Sequence, residues 1–391
     1  MPDALISSTP GLLFVLAANA ALWFWLEKKT GWTMFEYVPP LIFIYVLPAV
    51  FSNTGLIVNE SPAYGWMGDV LLPFFLVLLL LDVDVPATVK VMGRGVGVML
   101  VGTAGVVIGA PLGFLAVKGW LGPDAWMGFG TLAGSWIGGT GNMAAVAEGL
   151  GTPGTEFGLA VIADNAVYLV WLPIMLQSKK LAGPFHRFTR VTAERLKQVT
   201  EGAEGLAADK SDEAPAMRHI VYLIAIGFGT VFLASQAAGA LPELGPVLTE
   251  STWRILIVTT LGLALSFTPA REIPGSHELA MALVYLFVAR MGASASVEGL
   301  AGQALPFVAG AYLWIFIHGG FIVVAARVLR IDVHTAAIAS AANIGGAASA
   351  PIVAAYHDDR LVPVSILMAL VGYAVGNYAA FGAAWLCSAV A

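Results

Sequence analysis

Twelve apolar segments alternate with short polar gaps along the chain, at about 4–26, 35–51, 64–83, 93–117, 124–149, 153–177, 218–240, 251–269, 277–292, 303–329, 334–356 and 361–388. Most approach the roughly 20 apolar residues that a helix needs to cross a bilayer. One polar stretch, 178–217, separates a first membrane repeat, 1–177, from a second, 218–391. It mixes Lys179, Lys180, Arg187, Arg190, Arg195 and Lys197 with Glu194, Glu201, Glu204, Asp209, Asp212 and Glu213. That composition predicts a solvated linker, with a short surface helix over 193–199. Each repeat holds six segments, and glycines interrupt the fifth of each.

The two interruptions are related. Laid over 134–147, residues 341–354 match at Ile137/Ile344, Gly138/Gly345, Gly139/Gly346, Val146/Val353 and Ala147/Ala354. Paired glycines weaken a helix, each costing about 1 kcal/mol relative to alanine. The freed backbone groups are tolerated at membrane depth only inside protein or along a cavity. Interruptions at corresponding places in two halves point to a transporter binding site. Their structural alternative is close helix packing through small residues.

Charge then fixes the number of crossings. If all twelve segments cross, the 19 Lys and Arg residues split at best twelve to seven between the two faces. If each fifth segment is instead a re-entrant hairpin, sixteen fall on the linker side, leaving Lys118, Arg254 and Arg290 opposite. The positive-inside rule prefers the second arrangement, with the linker cytoplasmic and both termini outside. Five crossings per repeat is an odd number, so the second repeat runs inverted. The expected fold is therefore an all-α polytopic membrane protein with two inverted repeats, about ten crossings and two re-entrant or broken helices.

Composition agrees: 58% of the 391 residues are hydrophobic, 11% are charged, and mean hydropathy is +0.83. A single cysteine, Cys387, excludes an internal disulfide and a cysteine-based metal cluster. The apolar run near the N-terminus is read as a retained helix rather than a cleaved signal. No Gly-x-x-x-x-Gly-Lys loop appears, which disfavours ATP-driven pumping.

The candidate chemistry clusters at the interruptions. Ser135, Gly138, Gly139, Asn343, Gly345, Gly346, Ser349 and the mid-segment His318 are expected to bind substrate. Thr140, Asn142, Asp164, Asn165 and Asn377 are expected to supply oxygens to a cation. Asp164 lies mid-segment, where a carboxylate is expensive and usually marks an ion or proton path. A lone apolar-helix histidine such as His318 is equally well a structural one.

The chain resembles the YjcL-like family of bacterial membrane proteins of unknown function, chiefly through Gly134–Ala147 and Asn343–Ala354. More distantly it is similar to the sodium/glutamate symporters and the 2-hydroxycarboxylate transporters. Gly138-Gly139-Thr140-Gly141 matches their Gly-Gly-x-Gly signature, and Gly345-Gly346-Ala347-Ala348 departs from it at the last glycine. The resemblance implies secondary transport by elevator-like movement of a core against a scaffold, a homodimer, and a bacterial inner membrane.

Together these readings predict a cation-coupled symporter, with Na⁺ ahead of H⁺, for a small organic anion such as an amino acid, a short peptide or a carboxylate. The expected partners are that solute, its coupling cation and the lipid bilayer, with no nucleic acid and no cofactor beyond Na⁺. A cation/proton antiporter using Asp164 is the second reading. An intramembrane hydrolase with Ser135 and His318 is a remote third, so the protein is not expected to be an enzyme.

Overall fold

The structure, a computed structural model, describes residues 4–192 and 214–391. The predicted helix over 193–199 lies outside them. The described residues form helices joined by short turns: α1 (Thr9–Thr30), α2 (Pro40–Asn53), α3 (Pro62–Leu81), α4 (Val85–Met92), α5 (Arg94–Val117), α6 (Ala125–Leu150), α7 (Gly154–Gln177) and α8 (Ala182–Thr189) in the first half. The second half contributes α9 (Met217–Ala238), α10 (Glu250–Ser266), α11 (Ser276–Ala293), α12 (Val297–Leu329), α13 (Val333–Ile344), α14 (Gly346–His357) and α15 (Val362–Ser388).

Local chemistry sets many of the ends. Asp84, Thr249, Ser296 and Asp332 each accept a backbone N–H at a helix start. Proline opens α2, where its missing N–H costs nothing. Gly31 and Gly151 close α1 and α6 in the left-handed conformation. Among the described residues, seven helical stretches are long and apolar enough to cross a membrane on those grounds alone. The shorter or more polar α2, α10 and α11 pack beside them.

Neither glycine-broken segment crosses. In α6, Gly139 adopts φ 72°, ψ −172°, which ends one helical arm and starts another. The Thr131 and Thr152 hydroxyls then stand 3.0 Å apart. In a straight helix 21 residues would separate them by about 31 Å. The arms are antiparallel, and a β-carbon on Gly134 would sit 2.8 Å from the Asn142 carbonyl oxygen, so only glycine allows this approach. In the second half, His334 at the start of α13 and His357 at the end of α14 bring their Nδ1 atoms within 2.9 Å. Residues 125–150 and 333–357 are therefore re-entrant hairpins, one from each face.

The helices sort into two bodies, each drawing on both halves of the chain. The first three crossings of each half, α1, α2 and α3 with α9, α10 and α11, pack mainly on one another. The last elements of each half, α5, α6 and α7 with α12 to α15, form the other body. Glycines let α5 and α12 approach closely: Gly105 faces Phe321, Gly109 faces Trp314, and Gly113 meets the Gly310 carbonyl. Lipid tails are as apolar as leucine, so such small-residue contacts, not water exclusion, hold membrane helices together. The Trp314 indole N–H donates to the Val106 carbonyl at 2.8 Å across this seam.

Candidate functional site

The hairpin tips meet. A β-carbon on Gly346, which has φ 58°, would stand 3.6 Å from the Gly139 Cα. Both glycines start a helical arm, Gly139 the one leading to Leu150 and Gly346 the one leading to His357. Two helix N-termini, with unpaired N–H groups and partial positive charge, therefore face one another inside the molecule.

Beside the tips lies a cavity of about 450 Å³. The seven-element body lines it with Ser135, Gly139, Thr140 and Gly141 of the first hairpin, Ile344, Gly345, Gly346 and Ala347 of the second, Asp164 of α7 and Tyr373 of α15. The other body contributes His277, Glu278, Met281 and Tyr285, all from the first ten residues of α11. Glu278 is exposed there, so the mouth lies at the face from which the linker leaves. At the opposite end of α11 the way is closed: Arg290 donates to Glu148 of the first hairpin at 2.9 Å. Glu148 in turn lies directly against Gly68 of α3, where a side chain would collide with it.

Asp164 is the electrostatic centre of the cavity. Its two carboxylate oxygens accept from the Ser135 hydroxyl at 2.9 Å and the Trp136 indole N–H at 2.8 Å. None of the cavity-lining residues is Lys or Arg, so this carboxylate meets no protein counter-charge there. A carboxylate held by two donors and facing a cavity is poised to take a cation, and the Ser135 and Thr140 hydroxyls supply further hard oxygens.

Of the residues singled out in the sequence, Ser135, Gly139, Thr140, Asp164, Gly345 and Gly346 reach the cavity. Gly138 stands behind it, giving room to the Asn142 side chain, whose Nδ2 donates to the Tyr373 carbonyl at 3.2 Å. Asn343 is turned towards α5: its amide is satisfied when Nδ2 donates to the Met99 and Ala339 carbonyls and Oδ1 accepts from Thr103 at 2.9 Å. Ser349 pairs with Tyr168. Asn165 donates to the Val161 carbonyl of its own helix. Asn377 donates to Thr259 of α10 at 2.8 Å, and its buried Oδ1 has no partner.

His318 is fully buried away from the cavity lining. It bridges the Gly102 carbonyl at 2.9 Å and the Ser340 hydroxyl at 3.0 Å, and Trp171 donates to the same hydroxyl. Ser135 and His318 are therefore not brought together; each is committed to other partners.

Tyr373 and the stripe His277, Met281 and Tyr285 escaped the sequence reading. The stripe's four-residue spacing on α11 is a helical face that could have been found. Tyr373 carried no such sign, because only the fold of α15 against the first hairpin brings it to the tips.

The fold and its two opposed hairpins define an integral membrane protein built on inverted repeats. The chain belongs to the family described as "Protein of unknown function (DUF819)", which matches residues 14–390. It is 25% identical over 372 residues to "Uncharacterized membrane protein YjcL" of Bacillus subtilis (strain 168), with 93% of each chain covered. The resemblance drawn from the two glycine segments thus extends along nearly the whole sequence.

Proposed function

We propose that the protein is a secondary transporter whose cation site centres on Asp164. The observation that carries this reading is a partly buried carboxylate, held by two hydrogen-bond donors, in a cavity whose lining holds no Lys or Arg and where two inverted hairpin tips meet. A cation neutralises Asp164 with help from Ser135 and Thr140, and Na⁺ is preferred to H⁺ because all the donors are oxygens. A small organic anion then lies against the paired helix N-termini, between Tyr373 and Tyr285. Amino acids, short peptides and carboxylates fit this description and the cavity's size.

The division into two bodies supports an elevator-like mechanism, in which the body carrying both hairpins moves against the other. The bilayer is that of a bacterial inner membrane, the linker is cytoplasmic, and the cavity is therefore open inward. A homodimer is expected, with no cofactor beyond Na⁺, no enzymatic activity and no nucleic acid. The absence of Lys and Arg from the cavity lining favours one competing reading, a cation/proton antiporter using Asp164 alone.

Uptake of radiolabelled Na⁺ into proteoliposomes separates the two. Symport predicts stimulation by amino acids, dipeptides or carboxylates on the same side. Antiport predicts stimulation by an opposing proton gradient and indifference to solutes. Uptake equal to that of protein-free vesicles under every condition would remove both.

A further inference from the structure

Far from the cavity, at the linker face, the second hairpin's mouth carries histidines on three elements. His334 begins α13, His357 ends α14, and His186 lies on α8, the short helix that leads into the linker. Their hydrogen bonds assign their protons. His357 Nε2 lies 3.0 Å from the Met175 carbonyl of α7, so it must carry hydrogen and donate. In neutral His357, Nδ1 is then an acceptor, and the facing His334 Nδ1 at 2.9 Å must be the donor. His186 Nε2 accepts from the Val333 N–H at 3.3 Å, so that nitrogen must be bare. The arrangement closes only with all three rings in defined states.

We propose that this cluster is an acid-released clasp that holds the mouth of the second hairpin shut and tied to α7 and α8. A proton added to His357 goes on Nδ1, where it confronts the His334 N–H, and a proton added to His186 goes on Nε2, where it confronts the Val333 N–H. Both ties are lost on protonation. His357 is buried, so its new charge has little water to turn to.

The surrounding charges do not cancel this effect. Lys179 donates to the Tyr356 carbonyl at 2.8 Å and adds positive charge beside His357. Asp332 is held by the Thr335 N–H and hydroxyl, both at 2.8 Å, and is the one carboxylate near His334 that lacks a cationic partner. Asp358 is engaged by Arg360, whose hydrogen bond holds its carboxyl below the usual carboxylate range. The facing pair His334 and His357, partnered as neutral imidazoles, is thus the part of the cluster that responds between neutral and mildly acid pH. Once unfolded, His357 takes up a proton below a histidine pKa of about 6.5, whereas in the clasp its ring is held neutral, so this contribution to stability is present above that pH and lost below it. The arms it ties end at Gly345 and Gly346 in the cavity, so opening the mouth alters the tip.

Hydrogen exchange of the full chain in detergent tests this directly, corrected for the intrinsic pH dependence of exchange. Between pH 7.5 and 5.5, peptides covering 333–337 and 354–358 should lose protection by about tenfold, the equivalent of one broken hydrogen bond. Peptides at the first hairpin's mouth, near 125 and 150, should not. In His357→Asn, which keeps an acceptor that does not titrate, peptide 354–358 should hold its protection at pH 5.5, while 333–337 keeps only the loss that comes from the His186 tie. Unchanged wild-type protection at the second mouth would overturn the proposal, as would equal loss at both mouths. If His357→Asn does not fold, the comparison between the two mouths of the wild-type chain still decides the matter.

Discussion

Asp164 of α7 carries the residue-scale argument, because its environment differs from that of the polar residues packed in and around the two hairpins. Asn142, Asn343 and His318 spend their hydrogen bonds on neighbouring helices, whereas the Asp164 carboxyl faces a cavity whose lining holds no Lys or Arg. His318→Ala is therefore expected to act on stability alone. It removes one hydrogen bond each from the Gly102 carbonyl and the Ser340 hydroxyl and leaves a buried void, costing about 1–3 kcal/mol. Its thermal midpoint should fall while the cation concentration giving half-maximal stabilisation stays that of wild type. The tip glycines make a second residue-scale test. Gly139→Ala forces a side chain into a left-handed backbone, at about 1–2 kcal/mol, and should lower the thermal midpoint measurably. Thr140→Ala, one position on, meets no such backbone penalty and should weaken cation binding instead.

At the scale of elements, the hairpins separate what sequence reveals from what it hides. Gly138-Gly139 and Gly345-Gly346 announced an interruption, and the distribution of Lys and Arg then favoured an odd number of crossings per repeat. Charge counting cannot place side chains, however. Asn343 and Asn142 are equally polar and equally near a glycine pair, yet one faces α5 and the other α15. Helical phase through a break depends on the glycine's φ and ψ, which the sequence does not state. Tyr373 is hidden for a related reason, since its helix lies more than 200 residues from the hairpin it touches. The hairpin itself is open to a direct test. Cysteines replacing Thr131 and Thr152, in a background with Cys387→Ala, should form a disulfide under mild oxidation, because the parent hydroxyls are 3.0 Å apart. The two would be about 31 Å apart in a continuous crossing helix, where no internal disulfide is possible.

The whole molecule is asymmetric in a way that its inverted repeats are not. The cavity reaches the linker face along the first ten residues of α11, while Glu148 and Arg290 join the two bodies at the other end of that helix. Both partners are largely buried, so breaking the pair strands a charge and destabilises this arrangement relative to the opposite one. Glu148→Gln should accordingly reduce labelling of a cysteine placed at Met281 by a membrane-impermeant reagent added from the linker side. Unchanged labelling would mean that the pair does not set which face is open. The central claim, a cation bound at Asp164, is tested most directly by thermal unfolding of the purified protein in Na⁺ against matched choline. A site that binds only the folded state stabilises it by about 2.7 kcal/mol at 100 times its dissociation constant. The account predicts a saturable upward shift with Na⁺ in the wild-type protein and none in a folded Asp164→Asn variant. A shift of equal size in both proteins would contradict it, and so would its absence in wild type across pH 6 to 8.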